Sequence, residues 1–344
     1  MTQRALHSTA SMIDRRGVLA GGLLAGAAAL VPGGTRVTHA AQAATGSTAS
    51  ASTARFHRFM VGSIECVAVS DGSATLDAIQ PTFAASASKE ELNAALDRAF
   101  HPRTKALLEF NCIALKLGAE WVLIDAGYGE TGAPRFGSVQ SNLRAAGVDP
   151  DAIAAIVITH AHGDHINGML RKDGSLAFPK AKAMMSKVEH DFWTGSPDLS
   201  RVGFPEQQKR EMAATAARHI EAIRRGSGGL ELVDENARPF SQLRFVATPG
   251  HTPGHLSLML ADGGEELFIL GDAAHNHVVM FADPSWGPIF DTEPSVAAAT
   301  RAKLWDRLAT DRTRVMAFHL PWPGLGHVRR IDRSYEWVIA PMGL

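Results

Sequence analysis

The chain has 344 residues, 45% of them hydrophobic and 20% charged, a composition that excludes a disordered or fibrous protein and fits a globular enzyme. Its 34 basic and 35 acidic residues leave a formal net charge of −1, too even for a nucleic-acid partner. Two cysteines, Cys66 and Cys112, exclude a disulfide framework or a Cys-rich zinc module, whereas fifteen histidines are many.

At the start of the chain Arg15-Arg16 precedes an apolar or small run from Gly17 to Val31, followed by Ala41-Gln42-Ala43. The run is shorter than the roughly 20 residues that span a bilayer. Paired arginines, a short apolar stretch and an A-x-A site predict that residues 1–43 are a twin-arginine (Tat-type) export signal, with a membrane anchor or an unstructured tail as the other reading. The expectation is a periplasmic or secreted protein handled by the Tat machinery. Residues 1–43 hold four basic residues and one acid, so their removal shifts the net charge from −1 to −4. Residues 44–54, small and uncharged, are expected to form a flexible leader. Cys66 and Cys112 sit in apolar, strand-like runs and are expected to be buried free thiols rather than a pair.

Residues 55–344 show no repeat or linker and are expected to form one domain. His57 to Ser70 reads as a strand that Asp71-Gly72 ends with a turn. Ser88-Lys89-Glu90-Glu91 is a capping box. It should start a helix whose inner face carries Leu92, Ala95, Leu96, Ala99 and Phe100. Phe110 to Leu117 and Trp121 to Asp125 read as a strand pair around Gly118. A short helix should end near Gly147, and the β-branched run Ile153 to Thr159 should be a buried strand. His190 to Arg225 reads as mostly helical, broken at Pro197 and Pro205. Leu243 to Thr248, His255 to Leu260 and Leu267 to Leu270 read as strands. Val296 to Leu308 reads as a helix, and Arg314 to Leu320 as a last buried strand, before a short apolar end.

The densest chemical signal directly follows a predicted strand: Thr159-His160-Ala161-His162-Gly163-Asp164-His165. In extended backbone His160 and His162 point the same way. Three imidazoles and a carboxylate are poor core material, because each unpaired polar group costs about 1–3 kcal/mol when buried. Ligation of a divalent cation removes that cost, and imidazole with carboxylate suits zinc, iron, manganese or cobalt. Three further groups stand at ends of predicted strands: His251 (with His255 close by), Asp272, and His319 (with His327 close by). Strand C-terminal ends are where α/β proteins place their sites.

These residues resemble the metallo-β-lactamase-fold metallohydrolase superfamily. Ile124-Asp125-Ala126-Gly127, the His160–His165 hexapeptide, His251, Asp272 and His319 match its five motifs in order. The resemblance implies an αββα sandwich, two mixed sheets flanked by helices, with a two-metal site at one edge. Carried onto this chain, His160, His162 and His251 would bind one metal, and Asp164, His165 and His319 the other. Asp272 would bridge both, and Asp125 would orient the ligand loop from behind. The family pattern takes His251 over His255, which belongs to the next strand; His319, directly after a strand, is taken over His327.

Among members, the His319-Leu320-Pro321-Trp322-Pro323-Gly324 segment and Gly271-Asp272-Ala273-Ala274-His275 are most similar to the methyl parathion hydrolase-like group. Neither cysteine lies in a ligand motif and the bridging Asp272 is present, unlike in the true β-lactamases. The resemblance implies two divalent ions, zinc first, with manganese, iron or cobalt as alternatives, and a homodimer. A hydroxide held between the metals would attack a carbonyl carbon or phosphorus. Asp164 and Asp272 would be the catalytic carboxylates, with Asp272 holding metals and hydroxide rather than attacking.

Aromatics on loops beside the ligands, Tyr128, Phe192, Trp193, Phe204, Trp286, Phe290 and Trp322, are expected to wall an apolar pocket. His275 is expected just behind the ligands. The reading is a hydrolase of a neutral, apolar small-molecule ester: a lactone, an aryl ester or an organophosphate triester. An alternative is a hydrolase of an anionic thioester, phosphodiester or sulfate ester, which needs Arg171, Lys172 or Arg201 at the metals. A third is a metal-binding or redox carrier on the same fold.

Overall fold

The computed structural model describes residues 54–130 and 135–341. The expected export signal over 1–43, and the leader over 44–54 except Ala54, lie outside the described residues.

The first seven strands form one sheet in chain order: β1 (Phe56–Val61), β2 (Ile64–Leu76), β3 (Ala106–Leu117), β4 (Glu120–Ile124), β5 (Ile153–Ile158), β6 (Lys182–Ser186) and β7 (Leu230–Val233). Neighbours are antiparallel up to β4 and parallel from β4 to β7. The second sheet holds β8 (Leu243–Ala247), β9 (Leu256–Asp262), β10 (Glu265–Ile269), β11 (Arg314–Met316), β12 (Leu325–Ile331) and β13 (Ser334–Ile339), ordered β13-β12-β11-β10-β9-β8. Only β10 and β11 are parallel there. The helices are α1 (Lys89–Arg98), α2 (Val139–Ala145), α3 (Gly163–Ile166), α4 (Lys187–Thr194), α5 (Glu206–Arg225), α6 (Val279–Ala282) and α7 (Pro294–Asp311).

Two mixed sheets with helices outside them form the αββα sandwich that the resemblance implied. Strand alternation sends successive side chains to opposite faces. Cys66, Ala68, Ile113 and Val157 meet Phe245, Leu258 and Leu267 between the sheets. Val67, Val69, Cys112 and Ile156 face outward onto Leu143, Ile220 and Ile223 of α2 and α5. The second sheet turns Met259, Phe268 and Val315 onto Leu304 and Trp305 of α7. Both faces of β5 are therefore buried, which is why Ile153–Ile158 reads as an unbroken apolar run. Cys66 and Cys112 are buried and free, on opposite faces of the first sheet, so no disulfide joins them. Burial pushes the Cys66 thiol up to about 12.

Three expectations need correction. The strand from His57 does not end at Asp71. It is a hairpin, β1 to β2, and β2 continues to Leu76 across a β-bulge at Ser70/Gly72; the extra residue takes up the turn signal without ending the pairing. The capping box forms as expected, with the Ser88 hydroxyl accepting from the Glu91 N–H. Phe100, however, is 97% exposed, because α1 closes at Ala99 and Phe100 leaves it at φ +53°. Arg314 to Leu320 is not the last strand: β11 stops at Met316 and the β12–β13 hairpin follows. Exposed Arg329 and Arg330, with Glu336 paired opposite Arg329, hide its apolar alternation.

Candidate metal centre

The site begins with a strained turn after β4. Asp125 adopts φ +60°, a left-handed conformation that a short polar side chain tolerates by bonding locally. Its carboxylate accepts the Thr159 N–H and the Thr159 hydroxyl, each at 2.8 Å, and the His165 Nδ1–H at 2.8 Å. Two residues on, Gly127 sits at φ +74°, where a Cβ would lie 2.5 Å from the Asp71 carboxyl carbon. That carboxylate accepts the Tyr128 and Val139 N–H groups at 2.8 and 3.2 Å. Asp71, read from sequence as part of a turn, instead fastens the loop that carries Asp125.

β5 ends at Ile158, and the hexapeptide leaves the sheet at its C-terminal edge, with His162 extended before α3. His251 comes from the turn between β8 and β9, Asp272 from the end of β10, and His319 from the loop after β11. They converge in two groups that share Asp272: His160, His162, His251 and Asp272, and Asp164, His165, Asp272 and His319. In each group the donor atoms lie within 4.8 Å of one another. Asp272 Oδ2 is 3.1 Å from His319 Nε2, 3.4 Å from His251 Nε2 and 3.6 Å from His160 Nε2, while Oδ1 is 3.2 Å from His165 Nε2. Asp164 Oδ2 stands 3.3 Å from His319 Nε2. All are buried except Asp164, which is partly exposed.

The donor set fits divalent cations. His160 Nε2, His165 Nε2 and Asp272 Oδ1 are buried with no hydrogen-bond partner, and each such atom costs about 1–3 kcal/mol if left so. His162 Nδ1 and His251 Nε2 face each other at 2.9 Å, a spacing at which two lone pairs need a shared proton or a cation. With nitrogen and oxygen donors and no thiolate, the set suits zinc and its first-row neighbours.

The opposite ring atoms fix which nitrogen faces inward. His165 donates Nδ1–H to Asp125, His319 to the Glu109 carbonyl at 2.9 Å, and His251 to Asp291 Oδ1 at 2.9 Å. Each of these rings therefore offers Nε2 to the centre. Before any metal binds, the charges are finely divided. Burial, then the charge of His165, holds His160 well below its usual range. Burial also opposes charge on His251 and His319, but Asp272 with Asp291 in the first case, and Asp272 with Asp164 in the second, outweighs it and lifts both to about 9. Burial would raise Asp164, yet His165 and His319 bring it down to about 2.

The remaining expected residues divide. His275 Nε2 lies 3.0 Å from Asp272 Oδ2, with its ring against those of His251 and His319. His255 Nε2 accepts the Asp272 N–H at 2.9 Å and so supports the Asp272 turn from outside the cluster. His327 lies on β12 opposite Arg314, away from it. Phe290 packs its edge on His251 and His275, with Phe204 stacked on it. Tyr128 lies against Phe110 and Phe136, and Phe110 against His319. Phe192 is half-buried beside Trp193. Trp322 carries the Arg55 guanidinium over its ring at 4.9 Å.

Two of the expected pocket walls are corrected. Trp193 is 1% exposed and donates its indole N–H to Glu189 at 2.7 Å, so it is core beneath His162. Trp286 is buried in the core cluster under α7. Trp193 lies within α4 and Trp286 follows a turn, and the sequence pattern did not separate their inward faces from a pocket face.

Glu189, Asp291 and Arg301 were not singled out from sequence. Glu189 is fully buried and accepts from Ala161 N–H at 2.9 Å, the Thr252 hydroxyl at 2.6 Å and Gly254 N–H at 3.2 Å. Burial raises its pKa against the Thr252, Ala161 and Trp193 donors and the charge of His251. Glu189 and Asp291 are lone acids that reach the ligand loops across 28 to 65 residues of chain, and Arg301 meets Asp291 from α7, so no local pattern marks them.

Comparison with known proteins agrees with this geometry. A family model described as the metallo-beta-lactamase superfamily matches residues 110–319. The chain is 28% identical over 172 residues to the uncharacterized protein YobT of Bacillus subtilis (strain 168), 49% of this chain and 63% of that protein. It is 27% identical over 159 residues to the probable metallo-hydrolase YflN of the same organism, 44% of this chain and 55% of that protein. It thus matches rather more than half the length of these curated relatives. Among solved structures, AidC, a dizinc quorum-quenching lactonase in complex with a product, superposes with a TM-score of 0.78 at 30% identity. The hydrolase AbOPH, of the beta lactamase superfamily, superposes with a TM-score of 0.74 at 27% identity. Each comparison covers 83% of this chain and 97% of the other.

Proposed function

The chain belongs to the metallo-beta-lactamase superfamily, and from that premise we propose that it is a metal-dependent hydrolase of neutral, apolar esters, with lactones ahead of aryl esters and organophosphate triesters. His160, His162 and His251 would hold one divalent cation, and Asp164, His165 and His319 a second, with Asp272 common to both. The observation that carries this reading is the set of buried donor atoms without partners, His160 Nε2, His165 Nε2 and Asp272 Oδ1, all aimed at one centre. Two such cations, zinc first, supply Lewis acidity and a water that is nucleophilic near neutral pH.

The chain's own residues do the positioning. Asp125 fixes the His165 ring, Asp291 the His251 ring, and the Glu109 carbonyl the His319 ring. Phe290 and Phe204 wall one side next to His251, and Tyr128, packed on the buried Phe110 that supports His319, lies on the other side. An apolar wall around few polar groups favours a substrate with an apolar chain.

Charge supports a neutral substrate. Among the described residues, every ion pair that Asp164 and Asp272 make is with an imidazole. Arg171 spends its guanidinium on the Leu176 and Ala177 carbonyls, and Lys172 and Arg201 are exposed. The anionic-ester alternative needed one of these three at the centre. Lactones stand first because AidC, 30% identical along nearly its whole length, is a lactonase.

The test compares kcat/KM for a long-chain acyl-homoserine lactone and a dimethyl aryl phosphotriester on zinc-loaded protein. A lactone preference of about a thousandfold, about 4 kcal/mol of differential transition-state binding, supports the lactonase reading. The reverse points to a phosphotriesterase, and negligible rates on both favour the anionic-ester alternative. Export by a Tat-type signal over residues 1–43, and a homodimeric state, remain part of the proposal.

A further inference from the structure

Behind His251 stands a buried ion pair of a kind that no other histidine of the centre has. Its Nδ1–H donates to Asp291 Oδ1 at 2.9 Å, and Asp291 Oδ2 receives Arg301 Nη1 at 3.1 Å. Asp291 is fully buried and Arg301 is 1% exposed. Arg301 Nε also donates to the Pro284 carbonyl at 2.8 Å, which sets the guanidinium plane. The same segment grips the His251 turn through its backbone: Thr292 N–H donates to the His251 carbonyl at 3.0 Å and Glu293 N–H to that of Gly250 at 2.9 Å. Gly287 leaves room for the pair, since a Cβ there would lie 2.5 Å from Arg301 Nη2 and 2.6 Å from Asp291 Oδ2. By contrast, His319 rests on a neutral carbonyl, and the carboxylate behind His165 is met by Thr159.

We propose that Arg301, acting through Asp291, is a positioning residue for His251 that sets the affinity of one metal position, the one formed with His160 and His162, and leaves the other untouched. A carboxylate behind a metal-binding imidazole fixes the ring and the nitrogen it presents. Buried alone, that carboxylate carries an uncompensated charge, and the guanidinium supplies the opposite one. Arg301 touches neither metal position nor substrate space, so its effect must pass through Asp291 to the ring. The inference rests on the metal reading above.

The test titrates the metal-stripped full chain with zinc against a chromophoric chelator. The expected wild-type curve has two steps, and H251A identifies the step that depends on His251. D291N, R301K and G287A should each weaken that step by about 10- to 100-fold and leave the other within about threefold. R301M/D291L removes both charges together and leaves neither uncompensated, so it should lower the metal-free melting temperature less than R301M alone while still weakening the same step. Equal weakening of both steps would mean a general structural role and overturn the proposal, as would unchanged affinity at the His251 step. If the wild type takes up no zinc, the metal reading falls and this proposal with it; two intact wild-type steps with unaffected variants would remove this proposal alone.

Discussion

Glu189 accepts the Thr252 hydroxyl at 2.6 Å across 63 residues of chain, and its other oxygen accepts the Ala161 N–H at 2.9 Å. One carboxylate therefore ties the loop of His160 and His162, from the first sheet, to the turn of His251, from the second. Glu189→Gln keeps the shape but turns an amide NH2 toward donors on one side. The expected cost is about 1–3 kcal/mol of folding stability, as buried donors lose their acceptor, together with weaker zinc uptake. Denaturant unfolding of the metal-free protein checks the first part. A change within experimental error would mean that the carboxylate does not join the two loops.

Asp272 is the one residue common to both donor groups. Asp272→Asn should therefore weaken both zinc-binding steps, whereas His319→Ala should weaken one. Hydrolysis should fall with Asp272→Asn by about a thousandfold in kcat/KM, about 4 kcal/mol of transition-state stabilisation. Loss of a single step in Asp272→Asn would show that the carboxylate serves only one position.

Chelation should lower the melting temperature, because the unpartnered His160 Nε2, His165 Nε2 and Asp272 Oδ1 lose their cation. Returning zinc at 100 times its dissociation constant should restore about 2.7 kcal/mol per position. Differential scanning calorimetry over a zinc series measures this. His160→Ala should flatten the dependence.

His277 offers the titration of a ring outside both donor groups. Its ring faces His101 at 5.3 Å between centroids, and burial, then the charge of His101, brings it down from 6.5 to about 4. In the unfolded chain it takes up a proton near 6.5, while in the folded protein it stays neutral until about 4. The stability it contributes is thus present above 6.5 and lost as pH falls from 6.5 to about 4. Urea unfolding of metal-free wild type and His277→Gln at pH 7, 5.5 and 4 should show a shallower acid decline in the variant. Equal slopes would contradict the burial of a neutral ring. The other buried imidazoles are common to both proteins and cancel in the comparison.

The legible parts of this chain were those whose signal is local. Ile153–Ile158 is apolar throughout because both faces of β5 are buried, and the His160–His165 loop concentrates three imidazoles directly after it. The Ser88 capping box lies within four residues and forms as read. The parts that escaped depend on distant partners. Glu189 reaches the two ligand loops 28 to 65 residues away, and Asp291 meets His251 40 residues away, so no window contains both ends. Trp193 and Trp286 misled because an aromatic near a ligand looks alike whether it faces a pocket or the core. The β12–β13 hairpin hid behind exposed arginines.

The most direct test of the whole account is activity against metal content in one preparation. Metal-stripped full chain, titrated with zinc, should hydrolyse an acyl-homoserine lactone only as zinc is bound, with the rate levelling off at two ions per chain. Full turnover by the stripped protein, or a plateau at one ion, would contradict the two-cation centre built around Asp272.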